Sequence, residues 1–350
     1  MCNIAGYIGK KDAAPILCEM MKKQEGFGAG YYTGITTHDG MSMHTVKVLG
    51  DMQNLLNETN AISFPGTMGF LHSRSKSGGG VEWGHPFLAK GGDVSYIANG
   101  AAGVFLTEEM KEKRCALALE LEKKGYEFPS RCEGVIGDYP ALSDGTAIHG
   151  SDLMCQYIAC LMDEGLSPTA AMSKANSELP SEVVGLIIRK ENPRSIFVTR
   201  INYPMTIGIT TDGETYLATT PLAFPEDVEF RLIELLPPAT TYEVFEGGFR
   251  AATEPVEINN IATITPDIWH EAYERTEKFL LEKGEPVTVS EALEPCKDIW
   301  PEGKVGQIEP LIYGVMYGLH KEGRLGVAHV EEDGAFDGYK MHKFKIYLKH

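Results

Sequence analysis

Short apolar runs closed off by glycine recur through the first 260 residues, and no other feature constrains the fold of this chain as tightly. Runs of that kind, bounded by turn residues, make strands more readily than helices. Residues 3–8 read as a short buried strand, and 67–71 and 94–98 as two more. Residues 31–37 and 41–49 flank His38-Asp39-Gly40 and read as a β-hairpin, since Asp-Gly supplies the positive φ that such a turn needs. Residues 183–188, 195–199, 206–209 and 215–218 add four further strands. Helical spacing appears at 13–24, at 152–162 and 167–177, and at 107–124, where Thr107 is the expected N-cap and Gly125 the stop. Strands that succeed one another through turns point to largely antiparallel sheets in a layered α+β domain.

A second unit is expected from near Pro266, giving a division into 1–260 and 266–350. Helices are predicted at 267–283, at 290–296 with Ser290 as N-cap, and at 309–322. Strands at 325–330 and 343–348 then enclose an acidic, glycine-containing loop. Three helices followed by a hairpin resemble a winged helix, whose third helix reads the major groove in DNA-binding members. Here the third helix offers only Lys321 as a fixed positive charge, and acidic residues outnumber basic ones in the unit taken as a whole. Docking or dimerisation is therefore expected of it, which leaves a homo-oligomer open, and nucleic acid is not an expected partner.

The whole chain carries a formal net charge of −17, which repels nucleic acid and anionic membranes alike. No stretch of about eighteen apolar residues exists to span a bilayer, and charged residues arrive by Lys10, so no signal peptide is read and a cytoplasmic location is expected. The cysteines at 2, 18, 115, 132, 155, 160 and 296 are odd in number and form no CxxC pair. That spacing predicts neither a disulfide framework nor a metal site, and no cofactor is expected.

Cys2 stands apart from the other six. Removal of the initiator Met before a small residue would place a thiol and a free α-amine on one residue. An α-amine titrates near neutrality and can serve as a base, while a thiol is a ready nucleophile. Together they make a minimal acyl-transfer device. Taken alone, Cys at position 2 is commonly a buried thiol in a first strand.

The surrounding residues carry a resemblance. Met1-Cys2-Asn3-Ile4-Ala5-Gly6 is similar to the opening of the class II (N-terminal-nucleophile) glutamine amidotransferases, with Asn3 where Gly is usual. The segment His72-Ser73-Arg74-Ser75-Lys76-Ser77-Gly78, then Gly84-His85-Pro86, then Asn99-Gly100, and finally Ser151-Asp152 follow in the family's order. The likeness covers roughly residues 2–220. It implies a four-layer αββα N-terminal-nucleophile hydrolase sandwich of antiparallel sheets, with the winged-helix-like unit appended. It further implies Cys2 as nucleophile, with Asn99 and Gly100 as oxyanion donors. Arg74 would hold the α-carboxylate of L-glutamine, with Ser77 nearby; Asp152 would hold the α-ammonium, and His85 would line the pocket. An ordinary turn at Asn99-Gly100, a helix N-cap at Asp152 and a structural His85 are the plain alternatives.

Three replacements weigh against efficient hydrolysis. Glu25 stands where the family's first Arg is expected, and a carboxylate there would disfavour a nearby thiolate. Ser75 and Gly78 replace the family's Trp and His, and Gly78-Gly79-Gly80 would loosen that segment. The residues left after the amidotransferase-like part are too few for a sugar isomerase or a flavin barrel. The reading is thus a stand-alone glutaminase whose ammonia passes to a separate synthase subunit in trans. The alternative is a weakly active or inactive glutamine-binding regulatory module that acts through the C-terminal unit.

Overall fold

The computed structural model describes residues 2–75, 78–100, 103–133, 137–334 and 338–349. The strands are β1 (Asn3–Ile8), β2 (Tyr32–His38), β3 (Met43–Leu49), β4 (Met68–Arg74), β5 (Phe87–Ala89), β6 (Val94–Asn99), β7 (Val184–Arg189), β8 (Ile196–Arg200), β9 (Thr206–Thr210), β10 (Thr215–Ala218), β11 (Phe230–Leu235), β12 (Thr240–Phe245), β13 (Gly248–Ala251), β14 (Leu325–Asp333) and β15 (Lys340–Leu348). The helices are α1 (Ala13–Lys22), α2 (Met52–Glu58), α3 (Glu108–Lys123), α4 (Gly150–Asp163), α5 (Pro168–Glu178), α6 (Pro266–Lys283), α7 (Val289–Leu293) and α8 (Ile308–Lys321). None of these helices is long and apolar enough to cross a membrane.

Two antiparallel sheets form the body of the molecule. One runs β11-β9-β10-β1-β4-β2-β3 and the other β13-β12-β8-β7-β6-β5. Strand alternation decides what lies on each face. Ile4 and Ile8 of β1 pack with Phe70 of β4, Ile97 of β6 and Val198 of β8 in a core between the sheets. Ala5 and Tyr7, one step out of phase, pack instead under Leu17, Met20 and Met21 of α1. On the far side, Tyr96 and Ala98 of β6 meet Leu153, Cys155 and Ile158 of α4. Each such aliphatic side chain taken from water contributes about 1.5–3 kcal/mol, so a one-residue slip of β1 would exchange two cores at once.

The expected elements are present with adjusted ends. Thr107 caps α3 through Met110 N–H, as its sequence predicts. The strand expected to end at residue 71 runs on to Arg74, because β4 keeps pairing with both β1 and β2. The cap of α7 is Thr288, not Ser290: Thr288 and Glu291 form a reciprocal capping box two residues earlier. Residues 230–251 hold three strands that their half-buried pattern does not announce. The C-terminal hairpin is longer than expected, nine residues on each side.

The C-terminal helices and hairpin share a core of their own, built on Leu311, Val315, Met316, Leu319 and Ile346. Gly284, at φ +62°, ends α6 in the left-handed conformation that favours glycine. The same core takes in Phe27 from the turn ahead of β2, which meets Phe344 at 5.2 Å and Tyr313 at 6.1 Å. Fully buried Arg200 of β8 bonds the carbonyls of Tyr203 and Leu236 and, at 2.5 Å, the Gln307 side chain just before α8.

Candidate active site

The parity that buries Ile4 and Phe70 also aims Cys2, His72 and Arg74 into the space between the sheets, since each lies an even step along the same strand. Asn99, an even step beyond Ile97, reaches the same place from the second sheet. The sheets end there, and a cavity of about 330 Å³ opens, lined by Cys2, Arg74, His85, Gly100, Arg114 and Glu182 among others. Its volume is at the small end of those that hold small molecules.

Cys2 is half-buried. Its sulfur lies 3.4 Å from both Ser75 Oγ and the Ser75 backbone N–H. Burial alone would raise the thiol, but it is brought down to about 6, with His72 the foremost cause and Ser75 a smaller one. Such a thiol is largely thiolate at neutral pH. The Asn99 amide donates to the Cys2 carbonyl at 3.3 Å, and its oxygen meets His72 Nε2 at 3.3 Å.

Arg74 is buried, donates to the Trp83 carbonyl at 2.7 Å and lies over the Tyr32 ring at 4.9 Å. The Tyr32 hydroxyl reaches the carbonyls of Gly78 and Gly79 at 3.1 and 3.0 Å, which ties down part of the segment expected to be loose. No carboxylate forms an ion pair with Arg74 among the described residues, so part of its fork faces the cavity. His85 packs its ring 4.1 Å from His72, and neither of its nitrogens has a hydrogen-bond partner among the described residues. Burial above all, with smaller contributions from neighbours that include Arg74 and Lys47, holds His85 well below the usual histidine range, so it is neutral. His149 caps α4 by accepting the Ser151 N–H at 3.0 Å and is likewise held neutral by burial.

Two expectations change here. Asp152 is not the N-cap of α4, and it does not line the cavity. It is fully buried, one oxygen taken by Ser130 N–H and Oγ at 3.0 and 2.6 Å and the other by Gln156 at 3.0 Å. Glu25 is not beside the thiol. It bonds Ser73, which points to the opposite face of β4, and the N–H of Met52, the first residue of α2. Burial, then nearby Asp51, raises Glu25 to about 8, so at neutral pH it is mostly uncharged and does not repel a thiolate. Ser77 lies outside the described residues.

The sequence reading missed Glu182 and Arg114. Glu182 follows α5 and has no motif around it; Arg114 sits in a densely charged helix that reads as a solvated face. Both are buried and both line the cavity. The signal that marks them is glycine at their neighbours. A Cβ on Gly100 would stand 2.8 Å from Glu182 Oε2, and one on Gly150 would collide with the Arg114 guanidinium.

Two facing antiparallel sheets, with a cysteine thiol where the first strand enters a polar cavity, are the arrangement in which this chain resembles the N-terminal-nucleophile amidotransferases. Sequence and fold both carry the resemblance to the class II glutamine amidotransferases. The glutamine–fructose-6-phosphate aminotransferase (isomerizing) of Chlorobaculum tepidum is 28% identical over 225 residues, 63% of this chain and 32% of the relative. This chain therefore spans about a third of the length of the curated relatives it matches. Among solved structures, the glutamine phosphoribosylpyrophosphate amidotransferase of B. subtilis, complexed with ADP and GMP, superposes with a TM-score of 0.57 at 16% identity. It covers 81% of this chain and 58% of its own. An allosteric regulatory enzyme of purine biosynthesis superposes at 0.58 and 15% identity, covering 97% and 67%. At those identities the likeness is one of fold. No protein-family model matches the chain.

Proposed function

We propose that this chain hydrolyses L-glutamine to glutamate and ammonia, with Cys2 as nucleophile once Met1 is removed. The observation that carries the reading is a thiol brought down to about 6 at the edge of a cavity that also presents the Arg74 guanidinium. The Cys2 α-amine takes the thiol proton, and the sulfur attacks the side-chain carbonyl carbon. Charge then gathers on the carbonyl oxygen, toward the Asn99 amide and the Gly100 N–H. The carbon–nitrogen bond breaks as the α-ammonium returns its proton to the leaving nitrogen. Water cleaves the resulting thioester, releasing glutamate and restoring the thiol. His85, held neutral, fills the cavity wall without competing for that proton.

On this reading the body is a four-layer αββα sandwich over residues 1–260, and residues 266–350 form a winged-helix-like unit. Ammonia passes to a separate synthase subunit in trans. A second reading, a glutamine-binding regulatory module of low turnover, is favoured by one observation: the Asn99 amide is engaged by the carbonyl of Cys2 itself. One of the two amide N–H groups is thereby occupied, which leaves a single N–H for an oxyanion.

The test is intact mass after incubation with a diazoketone analogue of glutamine, which loses dinitrogen on alkylating a thiol, followed by ammonia release from glutamine. One adduct at Cys2, blocked by excess L-glutamine and absent in Cys2→Ala, is expected together with turnover. An adduct without turnover would favour the regulatory module. Protein that lacks Met1 yet takes no adduct would remove the hydrolase reading and leave the binding module, which equilibrium binding of L-glutamine then decides.

A further inference from the structure

β11 closes one end of the seven-stranded sheet. It pairs with β9 alone, so its other edge carries backbone N–H and C=O groups that no strand takes up among the described residues. Two hollows lie along this strand, of about 500 and 400 Å³. They share Pro221, Ile233 and Tyr317, and so form one groove. Its far wall is a single face of α8: Pro310, Gly314, Tyr317 and Lys321 recur at helical spacing from the first turn to the last. Its near wall is β11. Ile233, Glu234 and Leu235 all line it, whereas one face of a strand would present only alternate residues, so the edge of the strand borders the groove. At about 1.5 Å per residue α8 is about 21 Å long, and at about 3.3 Å per residue β11 is about 20 Å long. The groove therefore has the length of an extended segment of about six residues. Half-buried Trp269 and Tyr317 give it an apolar lining.

Charge decides what such a segment is. Glu226, Glu229 and Glu234 line the groove, and no ion pair takes up any of them among the described residues. Lys321 is the fixed positive charge that faces them; Arg231 is turned away, its guanidinium donating to the Gly247 carbonyl at 2.7 Å. A second copy of this chain, with its net charge of −17, brings the wrong sign.

We propose that the groove between β11 and α8 takes an extended, basic segment of another protein, which adds to the sheet as a further strand. Ile233 and Leu235 alternate with Glu234 along β11, so guest residues beside Ile233, toward Tyr317, leave their neighbours beside Glu234. The recognised pattern is therefore apolar alternating with basic. Pro237 and Pro238 line the end of the groove and stop the ladder there, since proline has no N–H. The groove shares no lining residue with the Cys2 cavity, and the proposal stands whether or not Cys2 turns over.

The experiment is fluorescence anisotropy on the full chain with three fluorescein-labelled hexapeptides, in which lysine alternates with valine, leucine or phenylalanine. At least one should bind, and less tightly as salt rises. In an added strand only every second residue bonds β11. Of two versions of the bound peptide, N-methylated at odd or at even residues, one should therefore lose about 10-fold or more in affinity and the other should keep it. Glu229→Lys combined with Glu234→Lys should weaken the lysine peptides about 10-fold or more and admit their glutamate counterparts, a gain that also shows the variant to be folded. Equal effects of the two methylation patterns, indifference to the charge reversal, or no binding up to about 1 mM overturns the proposal. A dimer in sedimentation velocity that Ile233→Lys breaks would overturn it too and assign the groove to a second copy.

Discussion

Glu25 and Glu182 are both buried carboxyl groups on segments between regular elements, and they live on opposite sides of the first sheet. Glu182 faces an open cavity, and one of its oxygens accepts no hydrogen bond among the described residues. Glu25 faces a sealed interface: Ser73 and the Met52 N–H satisfy it, and it feels Lys343 of the C-terminal hairpin, whose ammonium donates to the Ala29 carbonyl at 3.1 Å. Depth is the same in the two cases; access to solvent-sized space is not. A satisfied carboxyl in a closed packing layer is a structural group that titrates with stability. An unsatisfied one beside a cavity is left to meet whatever enters that space.

The sharpest way to break that contrast is to unseat the sealed side. Phe344→Ala removes a ring from the contact with Phe27 and Tyr313, and about 3–5 kcal/mol of stability in urea unfolding should go with it. A loss well under that range would mean the hairpin only rests on the sheet. A smaller effect is expected from charge. Because Glu25 is raised to about 8, the folded state holds its proton where the unfolded chain does not. Its contribution is complete below the unfolded value and is lost as pH rises through about 8, with a slope of at most about 1.4 kcal/mol per pH unit. Unfolding curves between acid and mildly alkaline pH should show that decline, and Glu25→Gln should flatten it; an unchanged slope would assign it to another group. The smallest effect is the most discriminating. Alkylation of Cys2 by iodoacetamide should rise with pH through a midpoint near 6, and Glu25→Gln should not move that midpoint. A moved midpoint would show that the sheet fails to insulate the two sides.

Much of this was legible because strands have a period of two. Once β1 and β4 are aligned, Ile4, Phe70, His72 and Arg74 must share a face, and Cys2 must join them. Glu25 was misplaced by the resemblance, not by parity. It stands where the family's Arg is expected beside the nucleophile, but its partner is Ser73, whose parity is opposite to that of Arg74. Asp152 fitted a motif, and only the tertiary position of Ser130 shows that one of its oxygens is held by two donors behind the cavity wall. Glu182 lies 31 residues from the serine it accepts from, with a helix between them, so no local pattern could join them. The glycines at 100 and 150 were visible in the sequence; the collisions that explain them were not.

Trp83 holds the carbonyl that anchors Arg74, and its own indole N–H donates to Ser130 at 2.7 Å. Its ring is fully buried, 4.5 Å from Tyr139 and 5.3 Å from His149, both of which line the cavity. The other two tryptophans, Trp269 and Trp300, pack in the C-terminal core. The protein thus carries an intrinsic fluorophore one residue behind its cavity wall and two more in a distant compartment. With Trp269 and Trp300 replaced by phenylalanine, emission from the remaining indole becomes an optical gauge of occupancy that needs neither a label nor turnover.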